Sequence, residues 1–377
     1  MRQPIDTNAL SNYIQHNVPA IKLPLKIKQF SHGQSNPTYE ITSSTGRKFV
    51  LRKRPPGKVL SKTAHRIDRE YKVISALDST NVPVPKTYGY CDDAAVIGTP
   101  FYIMEEIILY KKIDPWFPDM AADERTAIWK EVIHTLAKLH AVSIPSLNLT
   151  SWIRPTPFYP RQLHSLTTIS TAQSTSTNPS TSQPVGHLPH HSSLLTFFHA
   201  SPAQPAPRNA LVHGDFKLNN LVFHRTEPRV IGILDWKMST VGHPLSDVVY
   251  LLTPFLWASP SPALPLLTEL ALVGDIGVWR EKFRPGAVPG LPRLETCKGW
   301  YEEAVGWEVE EREFEWATAF GAWRTAVVMQ GIAARVVGGS ASGVEARKFA
   351  GQAVPYALWA HERARRITEG DSGRCKL

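Results

Sequence analysis

Cysteine is scarce: Cys91, Cys297 and Cys375 are the only three in 377 residues. That is too few and too scattered for a disulfide framework or a cysteine-rich metal site, and it points to a reducing compartment. Long apolar runs are missing as well. The longest uncharged one, Val248 to Thr268, carries Pro254, Pro260, Pro262 and Pro265, a density that a spanning helix does not tolerate. The start, Met1-Arg2-Gln3-Pro4-Ile5-Asp6, has no apolar core for a secretory signal. The sequence therefore predicts neither secretion nor membrane insertion. No internal repeat is visible, which sets solenoids and propellers aside.

What is present is an ordinary globular composition. Hydrophobic residues make up 42% and charged residues 20%, enough to bury a sizeable core, and the length suggests two lobes rather than one. The net charge of +9 is local. Residues 47–72 hold ten Lys or Arg and two acids, so this segment alone accounts for +8. Localised positive charge attracts anions. Nucleic acid is disfavoured, because no aromatic interleaving and no nucleic-acid module accompany the charge. A phosphorylated small molecule fits better, while many of these side chains simply form a solvated face.

The first third reads as strands and one helix. Phe49-Val50-Leu51 is β-prone after the turn at Ser44-Thr45-Gly46, and Phe101 to Met104 reads as a second buried strand. Apolar residues Ile67, Tyr71, Ile74 and Leu77 are spaced for a helix face over 67–77. A more helical region follows, opening with Ile128, Val132, Leu136 and Leu139 over 124–140. Between Ser165 and His187, twelve of 23 residues are Ser or Thr and none is Asp, Glu, Lys or Arg. That composition predicts a low-complexity insertion forming a mobile loop. The nearby His187, His190, His191 and His199 lack the fixed geometry a metal site needs. Leu211 to His213 reads as a short strand, and Leu221–Phe223 with Val230–Leu234 as a hairpin around Thr226-Glu227-Pro228. Residues 317–337 and 352–367 read as long helices, the former ending at Gly338-Gly339.

The chemistry concentrates in His213-Gly214-Asp215-Phe216-Lys217-Leu218-Asn219-Asn220, followed by Ile233-Leu234-Asp235-Trp236. A loop after a strand presents Asp215, and five residues on Asn220 offers an amide oxygen. A hairpin later, Asp235 ends an apolar strand. Mg²⁺ binds through one or two such oxygens plus substrate phosphates, which assigns Asn220 and Asp235 to the metal. Asp215 is then free to orient a hydroxyl and accept its proton. Turn capping alone would explain an isolated Asp-x4-Asn. It does not explain why the flanking strands and the second Asp follow in the order that phosphoryl transfer needs.

These residues resemble the catalytic region of the aminoglycoside phosphotransferase/choline kinase family, a branch of the protein-kinase-like fold. Phe30-Ser31-His32-Gly33-Gln34-Ser35-Asn36-Pro37, Val50 to Gly57, Ile67-Asp68-Arg69-Glu70-Tyr71 and Thr226 to Ile231 are most similar to the kinase-like domain found upstream of the dehydrogenase in certain acyl-CoA dehydrogenase fusions. The resemblance covers roughly residues 25–255. It implies an α+β, two-lobe fold: a small, mostly antiparallel β lobe with one key helix over 1–106, then a larger helical lobe over 107–377. It also implies ATP and Mg²⁺ as cofactors. By position, Gly33, Ser35 and Asn36 would cover phosphates, and Arg52 would hold them, with Lys53 as the alternative because strand alternation points only one inward. Glu70 would pair with that base. Phe101 to Glu106, with Met104 and Glu105 at its centre, would form the hinge that meets adenine. His213 and Asp247 would support the catalytic loop.

Two departures stand out. Related fusion domains usually show Asp-Asn and Asp-Trp-Glu where this chain has Asn219-Asn220 and Asp235-Trp236-Lys237. Lys237 places a positive charge two residues from the metal ligand, with consequences for metal affinity or substrate charge preference. The implied activity is transfer of the ATP γ-phosphoryl group to a hydroxyl, with a hydroxyacyl-CoA of the 4-hydroxyacyl type as acceptor and the basic segment meeting the CoA head group. Alternatives are an aminoglycoside- or choline-like alcohol, or a nucleotide-binding protein without catalysis. Protein kinase activity is disfavoured by the lack of a Gly-x-Gly-x-x-Gly loop and an Ala-Pro-Glu segment. The tail Cys375-Lys376-Leu377 resembles a peroxisomal address, which would be read by the import receptor; the default is the cytoplasm.

Overall fold

The computed structural model describes residues 5–30, 36–55, 66–107, 114–179, 182–258, 276–341 and 345–374. Gly33, Ser35, Lys58, Lys62 and Cys375-Lys376-Leu377 lie outside them. The chain divides into two compact units. One comprises Met1–Ile113, Val142–Asn148 and His213–Thr240; the other comprises Asp114–Ala141, Leu149–Val212 and Val241–Leu377.

The first unit starts with helix α1 (Thr7–Asn17). Its first turn is satisfied by Asp6, whose carboxylate accepts from the Asn8 and Ala9 amides at 3.0 Å each. Five antiparallel strands follow: β1 (Lys26–Gln29), β2 (Thr38–Thr42), β3 (Lys48–Lys53), β4 (Thr87–Cys91) and β5 (Phe101–Glu105). Their spatial order is β1-β2-β3-β5-β4. Helix α2 (Ile67–Leu77) has the span that the apolar spacing predicts. Alternation along β3 gives its two sides different work. Phe49 and Leu51 join Tyr39, Ile41, Phe101 and Ile103 in a core closed by Leu10 and Ile14 of α1. Val50 and Arg52 take the other side, and α2 packs on β4 and β5. Among the buried residues of α2 is one carboxylate, Glu70. The predicted hairpin is present, with Leu221–Phe223 antiparallel to Val230–Ile233. It is stitched in place by Ile233 N–H donating to Pro83 O at 2.9 Å and Leu234 N–H to Asn220 O at 2.8 Å.

The second unit is mainly helical. Helix α4 (Ala122–Ala141) buries Ile128, Val132, Leu136 and Leu139, the stripe that the sequence predicts; the short helix Ala94–Ile97 is the third of the first unit. Arg125 is buried because carbonyls replace its water: Nε donates to Trp116 O at 2.8 Å, and Nη2 donates to Phe117 O at 2.8 Å and Met120 O at 2.7 Å. The long helices Glu311–Val337 and Ala353–Arg374 pack against each other. The first begins at Glu311 rather than Ala317, with Glu311 and Glu313 in the turn where negative charge suits the helix dipole.

The Ser/Thr-rich tract is only in part the loop its composition predicts. Helix α5 (Phe158–Ser174) runs through its first ten residues. Hydroxyls are accommodated by bonding back one turn: Ser165 Oγ donates to Arg161 O at 3.0 Å, and Thr167 Oγ1 to Leu163 O at 2.8 Å. Tyr159, Leu163, Leu166, Ser170 and Ser174 form a buried stripe. Ser170 Oγ donates to Gln330 Oε1 at 2.7 Å, and Gln330 Nε2 donates to Gly186 O at 2.9 Å. After the helix, Thr177 bridges Pro184 in antiparallel fashion. The nearby histidines stack in pairs, His187 with His191 and His190 with His361. Among the described residues no helix is long and apolar enough to cross a membrane.

Candidate active site

Every catalytic or metal residue named from the sequence falls in the first unit, and short contacts tie them together. On β3, Arg52 and Lys53 point to opposite sides. Lys53 is buried, and its Nζ donates to Ile97 O, at the end of the short helix Ala94–Ile97, at 3.2 Å. Arg52 faces α2: its Nη1 lies 2.6 Å from Glu70 Oε1, and its Nη2 3.6 Å from Asp235 Oδ1. Burial opposes charge on Arg52, yet Glu70, Tyr102 and Asp235 outweigh it and raise its pKa, so the guanidinium stays cationic. Burial pushes the Glu70 carboxyl up, and Arg52 pulls it back. Tyr102 stands directly opposite Arg52 in the β3–β5 register. Among the described residues, its hydroxyl is buried without a hydrogen-bond partner, as are Arg52 Nε, Glu70 Oε2 and Asp235 Oδ1.

The loop after His213 is held by its own side chains. His213 is fully buried. Its Nδ1 accepts the Asp215 amide at 3.2 Å, and its Nε2 contacts Leu234 O at 3.0 Å. A nitrogen that accepts an amide N–H carries no proton, so the ring is the neutral Nε2–H form and serves as a strut. Gly214 has φ +83°, and a Cβ there would sit 2.6 Å from Met238 O; only glycine fits. Asn220 Nδ2 donates to Asp215 O at 2.8 Å and to Asp215 Oδ2 at 3.0 Å. Those two bonds fix the amide and leave Asn220 Oδ1 as the end that can accept a cation. Asp215 Oδ1 accepts from Lys217 Nζ at 3.0 Å.

Asp235 sits at a left-handed backbone position, φ 66° and ψ 53°, uncommon for a residue with a Cβ and costly by roughly 1–2 kcal/mol. The turn after it is locked. Trp236 is buried and its Nε1 donates to Ile233 O at 2.8 Å, while Ser239 Oγ donates to Trp236 O at 2.6 Å. Asp235 Oδ2 accepts from Lys237 Nζ at 2.7 Å. Burial raises the cost of its charge, but Lys237 and Arg52 outweigh this and hold the carboxyl below its ordinary range. An ionised carboxylate with one buried oxygen that has no hydrogen-bond partner among the described residues, near an amide whose nitrogen is already used, offers the hard oxygen donors that Mg²⁺ takes.

The other expected residues are spread more widely. Asn36 is buried two residues before β2. Met104 and Glu105 end β5, with Glu105 3.8 Å from Arg47. Asp247 belongs to the second unit. It is fully buried there, 3.4 Å from His140 Nε2, whose Nδ1 meets the Tyr301 hydroxyl at 2.7 Å. Sequence reasoning missed Lys217 and Tyr102. The first had a signal, since Asp-x-Lys occurs at both Asp215 and Asp235. The second depended on cross-strand register.

Comparison with known proteins agrees with this geometry. The family model of the phosphotransferase enzyme family, APH, matches residues 26–281. Acyl-CoA dehydrogenase family member 10 of Mus musculus is 34% identical over 329 residues, covering 86% of this chain and 28% of the relative. Acyl-CoA dehydrogenase family member 11 of Rattus norvegicus is 36% identical over 303 residues, covering 76% of this chain and 36% of the relative. The chain thus spans about a third of the length of these curated relatives. Among solved structures, one from Ralstonia eutropha described as a "putative aminoglycoside phosphotransferase" is 31% identical with a TM-score of 0.79, covering 96% of this chain and 99% of that one. A complex of APH(2'')-IIa with streptomycin and ATP is 14% identical with a TM-score of 0.56, covering 92% and 99%, and shares the fold. With the family model spanning well over half its length, an antiparallel sheet before a helical region and the loop and turn described above, the chain belongs to the APH phosphotransferase enzyme family and has its kinase-like fold.

Proposed function

We propose that the protein is an ATP- and Mg²⁺-dependent kinase that phosphorylates a hydroxyl of a small molecule, and that the acceptor is a hydroxyacyl-CoA. The observation that carries the chemistry is the convergence in one unit of Asp215, braced by Asn220, and Asp235, set against the Arg52–Glu70 pair. Mg²⁺, when bound, would neutralise charge on the transferring phosphates. Asn220 Oδ1 and Asp235 would hold it. Arg52, kept cationic and aimed by Glu70, would bind nucleotide phosphate oxygens. Asp215 would orient the acceptor hydroxyl and take its proton as the new P–O bond forms, with ADP leaving. Lys217, on the other oxygen of that carboxylate and half exposed, can move aside toward phosphate.

The acyl-CoA part has separate support: the names of the curated relatives and the charge of segment 47–72, which would suit a nucleotide-bearing thioester. The test is ATP consumption with Mg²⁺ over a panel of hydroxyacyl-CoAs, choline and an aminoglycoside. We expect transfer to a hydroxyacyl-CoA, and loss of at least about a hundredfold in Asp215→Asn with ATP binding retained. Transfer only to a cationic alcohol would keep the kinase and discard the thioester. Full activity in Asp215→Asn would overturn the catalytic assignment.

A further inference from the structure

Lys237 carries more than its place in a turn. Its Nζ sits 2.7 Å from Asp235 Oδ2. Arg52 lies 3.6 Å from the other oxygen of the same carboxylate. Both oxygens of the expected metal ligand therefore already face a cation. The local set is balanced: Glu70 and Asp235 against Arg52 and Lys237. A divalent cation arriving alone would add two positive charges to a neutral, largely buried cluster. It would also compete with a tethered ammonium for Oδ2.

The two counter-cations are not equally held. Arg52 is 15% exposed and locked on Glu70 at 2.6 Å. The Lys237 side chain is 39% exposed on a four-carbon stem, and an ammonium at such a site leaves a carboxylate at little cost. Its backbone cannot follow. Trp236 is buried beneath it, Ser239 Oγ closes the turn on Trp236 O, and Met238 O packs on Gly214. Only the side chain can swing.

We infer that Lys237 is a built-in counter-ion for Asp235 that holds the place of the metal until nucleotide arrives, so that the protein takes up the divalent ion together with nucleotide phosphates and only weakly by itself. This rests on the kinase reading above and adds a binding order to it. Nucleotide phosphates supply the negative charge that a free cation lacks, and they give the displaced ammonium a new partner. An acidic residue at 237 would do the reverse and draw free cation to the site.

The test is Mn²⁺ binding to the full chain, followed by electron paramagnetic resonance of free Mn²⁺ without nucleotide and, with a non-hydrolysable ATP analogue, by equilibrium dialysis of protein-bound Mn²⁺ against the same Mn²⁺–analogue mixture. Lys237→Met should bind Mn²⁺ alone about fivefold more tightly than wild type, since a partly exposed ion pair is worth up to about that factor. The gain should shrink below twofold with the analogue present. Lys237→Arg, which keeps the charge, should stay near wild type and controls for folding. Equal Mn²⁺ affinity of Lys237→Met and wild type without nucleotide, while the analogue still promotes Mn²⁺ binding in both, would overturn the inference and leave the kinase reading intact. Absence of Mn²⁺ binding in wild type even with the analogue would overturn the kinase reading itself.

Discussion

Replacing Arg52 by Met should make stability depend on pH in a way that wild type does not. Glu70 is 1% exposed, and Arg52 is the partner that opposes the effect of its burial. Without Arg52 the largest opposing influence is gone, burial and the Asp235 charge outweigh the smaller pull of Tyr102 and Lys237, and the Glu70 carboxyl moves further above its ordinary 4.5. A carboxyl whose folded pKa is raised favours the folded state fully below the unfolded pKa. It loses that contribution as pH climbs through the folded pKa. Wild type stops losing at its own Glu70 pKa; the variant continues. The deficit of Arg52→Met should thus open above the wild-type Glu70 pKa and grow by about 1.4 kcal/mol per pH unit. It should level off near 3–5 kcal/mol, the usual cost of orphaning one member of a buried pair. Asp235 also loses Arg52 in the variant, but Lys237, the larger of its two counter-cations, stays on its carboxylate and continues to pull its pKa down. Urea unfolding at pH 5 and pH 8 measures the effect. The double variant Arg52→Met/Glu70→Gln should recover most of the pH 8 loss, since an amide has no charge to strand. A deficit equal at both pH values, or no recovery in the double variant, would refute the reasoning.

Two further outcomes follow from the same unit. Lys53→Met should change the KM for ATP less than twofold, because Lys53 is turned away from Glu70 and bonded to Ile97 O, whereas Arg52→Met should raise it by tenfold or more; steady-state kinetics at one pH decides between them. Gly214→Ala should destabilise by about 2–3 kcal/mol, since its Cβ would overlap Met238 O, and thermal melting beside an ATP-turnover assay should show both stability and rate falling.

How much of this was legible beforehand differs by residue, for physical reasons. The α2 span was readable because its apolar residues repeat at 3.6, and the hairpin because two apolar runs flank a turn. The choice between Arg52 and Lys53 was left open by sequence, because period two says only that neighbours oppose each other. Register with Tyr102 and the contact with Glu70 decide which faces α2. Helix α5 was hidden by composition: twelve Ser and Thr outweigh a stripe of Leu163 and Leu166 until hydroxyl bonds to the preceding turn are counted. The lysines on Asp215 and Asp235 were visible as residues but not as partners, since a two-residue spacing fixes no side-chain direction.

The division of the chain into units bears on how it can be cut. The sheet, the loop after His213 and the Asp235 turn belong to one body, but the chain leaves that body after residue 113, revisits it at 142–148 and returns at 213. A fragment ending near residue 106 would keep Arg52 and Glu70 and lose Asp235, together with the hairpin that Pro83 O anchors. Its complement would carry the loop without the sheet. Neither piece has a whole site, so reassembly from separate halves would demand that three chain segments find their partners at once. Any shuffling of this unit between proteins succeeds only if all of its segments travel together.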